Sequence, residues 1–153
     1  MSAEQKLLSL GLTLPPPPIE AGNYTSMKAF SEGKLVYVSG TGAEGVCDFV
    51  GRLGETLSLA QGYEAARGCM LNILSAFKAK YGSLDRIRSF VKLLVFVSGE
   101  REFYRQPEVA NGASDLLVAV FGEEIGHPAR SAVGVYALPD NIPVEIECII
   151  EIN

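Results

Sequence analysis

The segment from Val144 to Ile152 reads VEIECIIEI, and its alternation constrains the fold more than any other stretch of the chain. Val144, Ile146, Cys148, Ile150 and Ile152 fall on one side of an extended strand, with Glu145, Glu147 and Glu151 on the other. A strand with one apolar face needs a covering layer. Two upstream segments supply it. From Leu57 to Tyr81, Ala66, Met70, Ile73, Leu74 and Phe77 recur at helical spacing, and Gly82 marks a stop. Residues 102–121 read as a second helix, with Val109, Ala113, Leu116, Leu117 and Val120 on its apolar side and Gly122 beyond.

The remaining segments read as strands. Met27 to Phe30 and Lys34 to Ser39 flank a Ser31-Glu32-Gly33 turn, and Gly40 to Thr56 reads as loop. Arg86 to Val97 is rich in β-branched residues and is expected to be central and buried on both faces. Ser131 to Leu138 is expected to join the last strand through a turn at Pro139-Asp140-Asn141. The order is ββαβαββ: an α+β domain with two helices on one face of a mixed sheet. Residues 24–153 are expected to form this single domain, and residues 1–23 an arm. In the arm, Leu7, Leu8, Leu10 and Leu12 can dock, and Pro15 to Pro18 form a stiff polyproline stretch. That stretch reads as a rigid connector in preference to a signalling ligand.

Charge and composition narrow the partners. A net charge of −5 and the lack of a Lys/Arg cluster argue against nucleic acid. The longest apolar run, Leu93 to Val97, is too short for a bilayer, and the N-terminus has no apolar leader, so a cytoplasmic protein without membrane contact is expected. Cys47, Cys69 and Cys148 suggest no disulfide framework and fit a reducing compartment.

Gly40-Thr41-Gly42-Ala43-Glu44-Gly45 matches G-x-G-x-x-G behind a strand, the pattern of a dinucleotide cradle. The cradle needs a helix starting within the glycines, and here a long loop follows, so nucleotide binding is not expected. His127 is the only histidine and the cysteines are scattered, so no metal site is expected. His127 sits before Pro128 in a loop, better placed as a surface or lid residue than as a base. Cys148 lies on the apolar face and reads as an inert core thiol. The segment His127-Pro128-Ala129-Arg130-Ser131-Ala132-Val133-Gly134 places an arginine among small residues where a strand begins. Such a guanidinium can grip a small carboxylate with two parallel hydrogen bonds, or face solvent and pair with a nearby glutamate.

Pro128-Ala129-Arg130-Ser131-Ala132-Val133 and Val144-Glu145-Ile146-Glu147, together with Gly22-Asn23-Tyr24, Val38-Ser39-Gly40 and Val109-Ala110-Asn111, resemble the Rid (YjgF-type) family. The Pro-rich arm, the segment Asn111 to Leu116 and the HPARSAVGV stretch most resemble a longer subgroup of it. The resemblance implies a chorismate-mutase-like fold and a homotrimer with clefts between subunits. It also implies cofactor-independent hydrolysis of small 2-imino or 2-enamino acids to 2-oxo acids and ammonia. In that scheme Arg130 binds the substrate carboxylate, Glu145 positions or activates water, and Tyr24 closes the cleft, while Ser39, Gly40, Asn111 and Ala132 line the pocket. Asn23 stands where relatives commonly have proline, and Ala132 where many have cysteine. An imine is already electrophilic, so one arginine and one proton-shuttling carboxylate can suffice. Non-catalytic sensing of small carboxylates in the same cleft is the alternative, and ribonuclease or translation-inhibitor activity a distant third.

A hairpin turn near Asp140 would set Arg130 opposite Ile150, leaving Glu145 ~16 Å away along the strand. Arg130 of one subunit is therefore expected to meet Glu145 of a neighbour.

Overall fold

A computed structural model describes all 153 residues. Its elements are α1 (Ala3–Ser9), β1 (Met27–Phe30), β2 (Leu35–Thr41), α2 (Leu59–Tyr81), β3 (Ile87–Ser98), α3 (Gln106–Gly126), β4 (Ala129–Val135) and β5 (Val144–Ile152). Helix α2 starts at a capping box in which Ser58 and Gln61 each bond the other's backbone N–H, and Gly82 closes it at φ 90°. The predicted stop at Gly122 is a break at φ 77° inside α3, after which the helix resumes to Gly126.

The five strands form one sheet in the order β1-β2-β5-β3-β4. Strand β5 is central, bonded to β2 on one side and β3 on the other, both antiparallel. Its alternation holds: Val144, Ile146, Cys148, Ile150 and Ile152 are buried on the face that α2 covers, while α3 packs on β3 and β4. Leu93, Val95 and Val97 of β3 lie on the same covered side.

Two expectations are corrected. Strand β4 does not form a hairpin with β5; it pairs in parallel with β3, placing Arg130 beside Leu93. The reason lies in the connection: β3, α3 and β4 make a crossover unit, which returns the chain parallel to β3. The turn at Pro139–Asn141 then carries the chain past β3 to the centre of the sheet. Nor is β3 buried on both faces, since Val91, Lys92, Leu94 and Phe96 remain partly or largely accessible on the side away from the helices.

The N-terminal segment docks through side chains and backbone together. Leu7 is 2% exposed and joins the core, whereas Leu8 and Leu10 face solvent. The Ala3 N–H donates to Asp85 Oδ1 at 2.8 Å, and the Leu84 N–H donates to Glu4 Oε1 at 2.9 Å. Farther along, the Ser75 hydroxyl donates to the Pro15 carbonyl at 2.5 Å. Replacing Leu7 with Ala deletes buried methyl groups that α1 cannot otherwise compensate. Leu7→Ala is expected to cost about 2–5 kcal/mol of stability in a urea or guanidinium titration.

Candidate functional site

Arg130 begins the edge strand β4, half-buried, with its side chain turned toward α3. Its Nη1 donates to Asn111 Oδ1 at 2.8 Å and to Ser114 Oγ at 3.0 Å, and its Nη2 donates to the Pro107 carbonyl at 3.2 Å. No glutamate pairs with it, so the solvent-facing ion pair is not formed. Asn111 and Ser114 lie one turn apart on α3, which is why both reach one nitrogen. A guanidinium has five N–H groups. Nε and one hydrogen of Nη2 take no part in these three bonds, leaving donors for a carboxylate. Ala132, two residues on, packs beside the core. Sequence reasoning singled out Asn111 but missed Ser114 and the Pro107 carbonyl. The three-residue spacing from Asn111 was the available signal for Ser114; a backbone acceptor leaves none.

A second group gathers where β2 ends. Val38 registers with Cys148 and Thr41 with Ile146, so three steps on β2 oppose two on β5, a bulge across Ser39 and Gly40. Ser39 donates its N–H to the Ser26 carbonyl at 2.9 Å and its hydroxyl to the Thr25 carbonyl at 2.7 Å. Those two bonds fix the segment that carries Tyr24, whose ring is half exposed and whose hydroxyl accepts the Ala21 N–H at 3.4 Å. At Gly40 a Cβ would stand 1.9 Å from Glu145 Oε1. Only bare backbone there lets the Glu145 carboxyl lie where it does.

Glu145 is half-buried, and its affinity for a proton is raised first by burial, then by the charges of Glu44 and Glu147. The folded state therefore holds this proton more tightly than the unfolded chain. The associated stability is complete below the ordinary carboxylate range and lost as pH rises through the raised value.

The two groups do not meet within one chain. Arg130 registers through Leu93 with Cys148, on the helix-covered side. Glu145 registers with Phe96 and Val133, on the open side. Three residues along the strands and two strand spacings across give a backbone separation of ~14 Å. The expected neighbour of Arg130, Ile150, is replaced by Leu93, yet the separation remains.

Other candidates stay apart from both groups. Gly40 and Thr41, expected as loop, still belong to β2; loop runs only from Gly42, and α2 begins only at Leu59, so no helix N-terminus faces those glycines. His127 is exposed, 3.6 Å from Glu123 on its own side of the surface. Burial pushes the Cys47 thiol up to about 11 and the Cys148 thiol well above its usual range, which disfavours either as a nucleophile. No helix is long and apolar enough to cross a membrane.

The family model of Endoribonuclease L-PSP matches residues 17–152. Protein TCP17 of Trypanosoma cruzi is 43% identical over 150 residues, covering 96% of this chain and 92% of that protein. Atu1372 of Agrobacterium tumefaciens, a crystal structure of a protein with unknown function, matches at TM-score 0.89 and 40% identity over 99% of this chain and 92% of its own. RidA from an Antarctic Psychrobacter matches at TM-score 0.58 and 29% identity, over 89% and 94%. The chain belongs to the L-PSP, or Rid/YjgF, family, as the arginine signature and the acidic last strand suggested.

Adding a methyl group at position 40 tests the bed beneath Glu145. Gly40→Ala is expected to push the carboxyl toward solvent and lower its titration midpoint, read by carboxyl carbon-13 NMR. An unchanged midpoint would count against the close contact.

Proposed function

We propose that this chain is one subunit of a homotrimer whose clefts hydrolyse small 2-imino or 2-enamino acids to 2-oxo acids and ammonia without a cofactor. The observation that carries the reading is the Arg130 guanidinium, held by α3 with donors to spare. It lies on the opposite face from a half-buried Glu145. Two chemically complementary half-sites that cannot converge in one chain can converge between two. The family match and the likeness to RidA support Rid membership, and the reaction class is read from the two half-sites.

The uncovered sheet face supports assembly. Leu94, Phe96 and Ile149 are only half-buried, and Phe30, Tyr37 and Val133 are 40%, 47% and 41% exposed. These accessible apolar side chains share the face with Glu145, Glu147 and Glu151, a mixed surface of the kind that interfaces use.

In the cleft, the spare donors of Arg130 take the substrate carboxylate and fix the imine carbon relative to the facing subunit. Tyr24 and the Ser39–Gly40 backbone bound the pocket, and the missing Cβ at Gly40 leaves the room that the Glu145 carboxyl occupies. Glu145 lies beside the attacking water and carries a proton in the hydrolysis. Sensing without turnover would use the same arginine. The net charge of −5 argues against RNA as the substrate, although the matched family is named for an endoribonuclease.

Ammonia and 2-oxo acid release should be followed in a reaction that generates 2-aminoacrylate. The wild type is expected to accelerate release, and Arg130→Ala to lower kcat/KM about 10–100-fold, the worth of a charge-assisted hydrogen-bond pair. Carboxylate binding with no acceleration would replace catalysis by sensing. A charge on the open face tests assembly: Leu94→Glu is expected to sediment as a monomer and to lose turnover while staying folded by circular dichroism.

A further inference from the structure

Hydrolysis of an imine moves two protons at each stage, one onto nitrogen and one off oxygen, and a single carboxyl group performs one transfer at a time. The loop that leaves β2 holds a second carboxyl group beside Glu145. Glu44 folds back over Gly42, where a Cβ would stand 2.6 Å from each of its carboxyl oxygens. Gly40 and Gly42, two positions apart, thus bed two carboxyl groups, and Glu44 is the foremost charge acting on Glu145.

The loop is held from below. Asn72 of α2 is 1% exposed and donates its amide hydrogens to the carbonyls of Gly42 and Glu44, each at 3.0 Å. A buried amide in a helix otherwise facing the core is costly unless both bonds are made. The same loop borders a cavity of about 150 Å³ lined by Ala43, Glu44, Phe49, Ile142 and Val144. Of the charged groups acting on Glu145, Glu44 comes from the loop and Glu147 from its own strand. Cys69 lies behind on α2, its thiol held protonated by burial. Neither Glu44 nor Glu145 makes an ion pair.

We propose that Glu44 is the second proton-transfer group of this site, sharing one proton with Glu145 through the catalytic cycle. The inference rests on the reaction assigned above. In the first step water oxygen bonds the imine carbon and gives a proton to the Glu44 carboxylate. The C=N electron pair moves to nitrogen, which takes the Glu145 proton. In the second, the C–N bond of the carbinolamine breaks and its hydroxyl proton goes to Glu145 as C=O forms. Nitrogen takes the proton from Glu44 and leaves as ammonia. The pair ends as it began, and imine plus water has become 2-oxo acid plus ammonia.

The test is the full-length Glu44→Gln protein beside the wild type. Carboxyl carbon-13 NMR is expected to show the Glu145 midpoint falling when the neighbouring charge is removed. With 2-aminoacrylate, kcat is expected to fall about 100-fold and the basic limb of its pH profile to move to lower pH, while 2-oxo acid affinity at Arg130 holds. Glu44→Asp is expected to restore part of the rate. An unmoved Glu145 midpoint, or an unchanged kcat and pH profile, overturns the pair. A wild type that releases no ammonia overturns the reaction and the transfer with it, while the titration still decides whether the two carboxyls share a proton.

Discussion

Strand β5 is hydrogen-bonded along both edges, and nearly everything else in the molecule is placed by that pairing. Its period-two pattern commits one face to α2 and leaves Glu145, Glu147, Ile149 and Glu151 on the other. A one-residue slip would send Glu145 and Glu147 into the core and lift Ile146 and Cys148 out of it. Register is therefore fixed by burial, and the position of Glu145 follows from the position of the core.

The candidate site inherits this two-sidedness. Arg130 is held by a helix on the covered face, and Glu145 rests on a bulged strand on the open face. The bulge matters because regular pairing through Ser39 and Gly40 would give each β2 residue one partner on β5. The extra residue re-aims the chain end, so Ser39 can bond the Thr25 carbonyl while Gly40 underlies Glu145. In the proposed assembly, this geometry has one face grip the substrate and a neighbour's other face react with it.

Much of this is legible in the residues. The alternation from Val144, the helical spacing from Leu57 and the turn at Ser31-Glu32-Gly33 are local signals, and each appears where expected. The arginine signature located Arg130, and the neighbouring asparagine proved to be its partner. What failed was non-local. A short turn before β5 looked like a hairpin, but strand order depends on where α3 delivers β4, and no nearby residue encodes that. Ser114 and the Pro107 carbonyl were missed because their role exists only once α3 lies against β4. Glu44 was hidden inside a glycine pattern that drew attention to its backbone instead of its side chain.

The docked N-terminal helix has a practical consequence for anyone choosing where to cut the gene. The family model begins at residue 17. A clone trimmed to that boundary would discard Leu7 and Glu4, leaving the Leu84 N–H without its acceptor and a leucine-sized hollow in the core. Met1, by contrast, is 90% exposed, so an affinity handle fused ahead of it points into solvent. The stretch that the family model leaves out is the one to keep, and the place to add is in front of it.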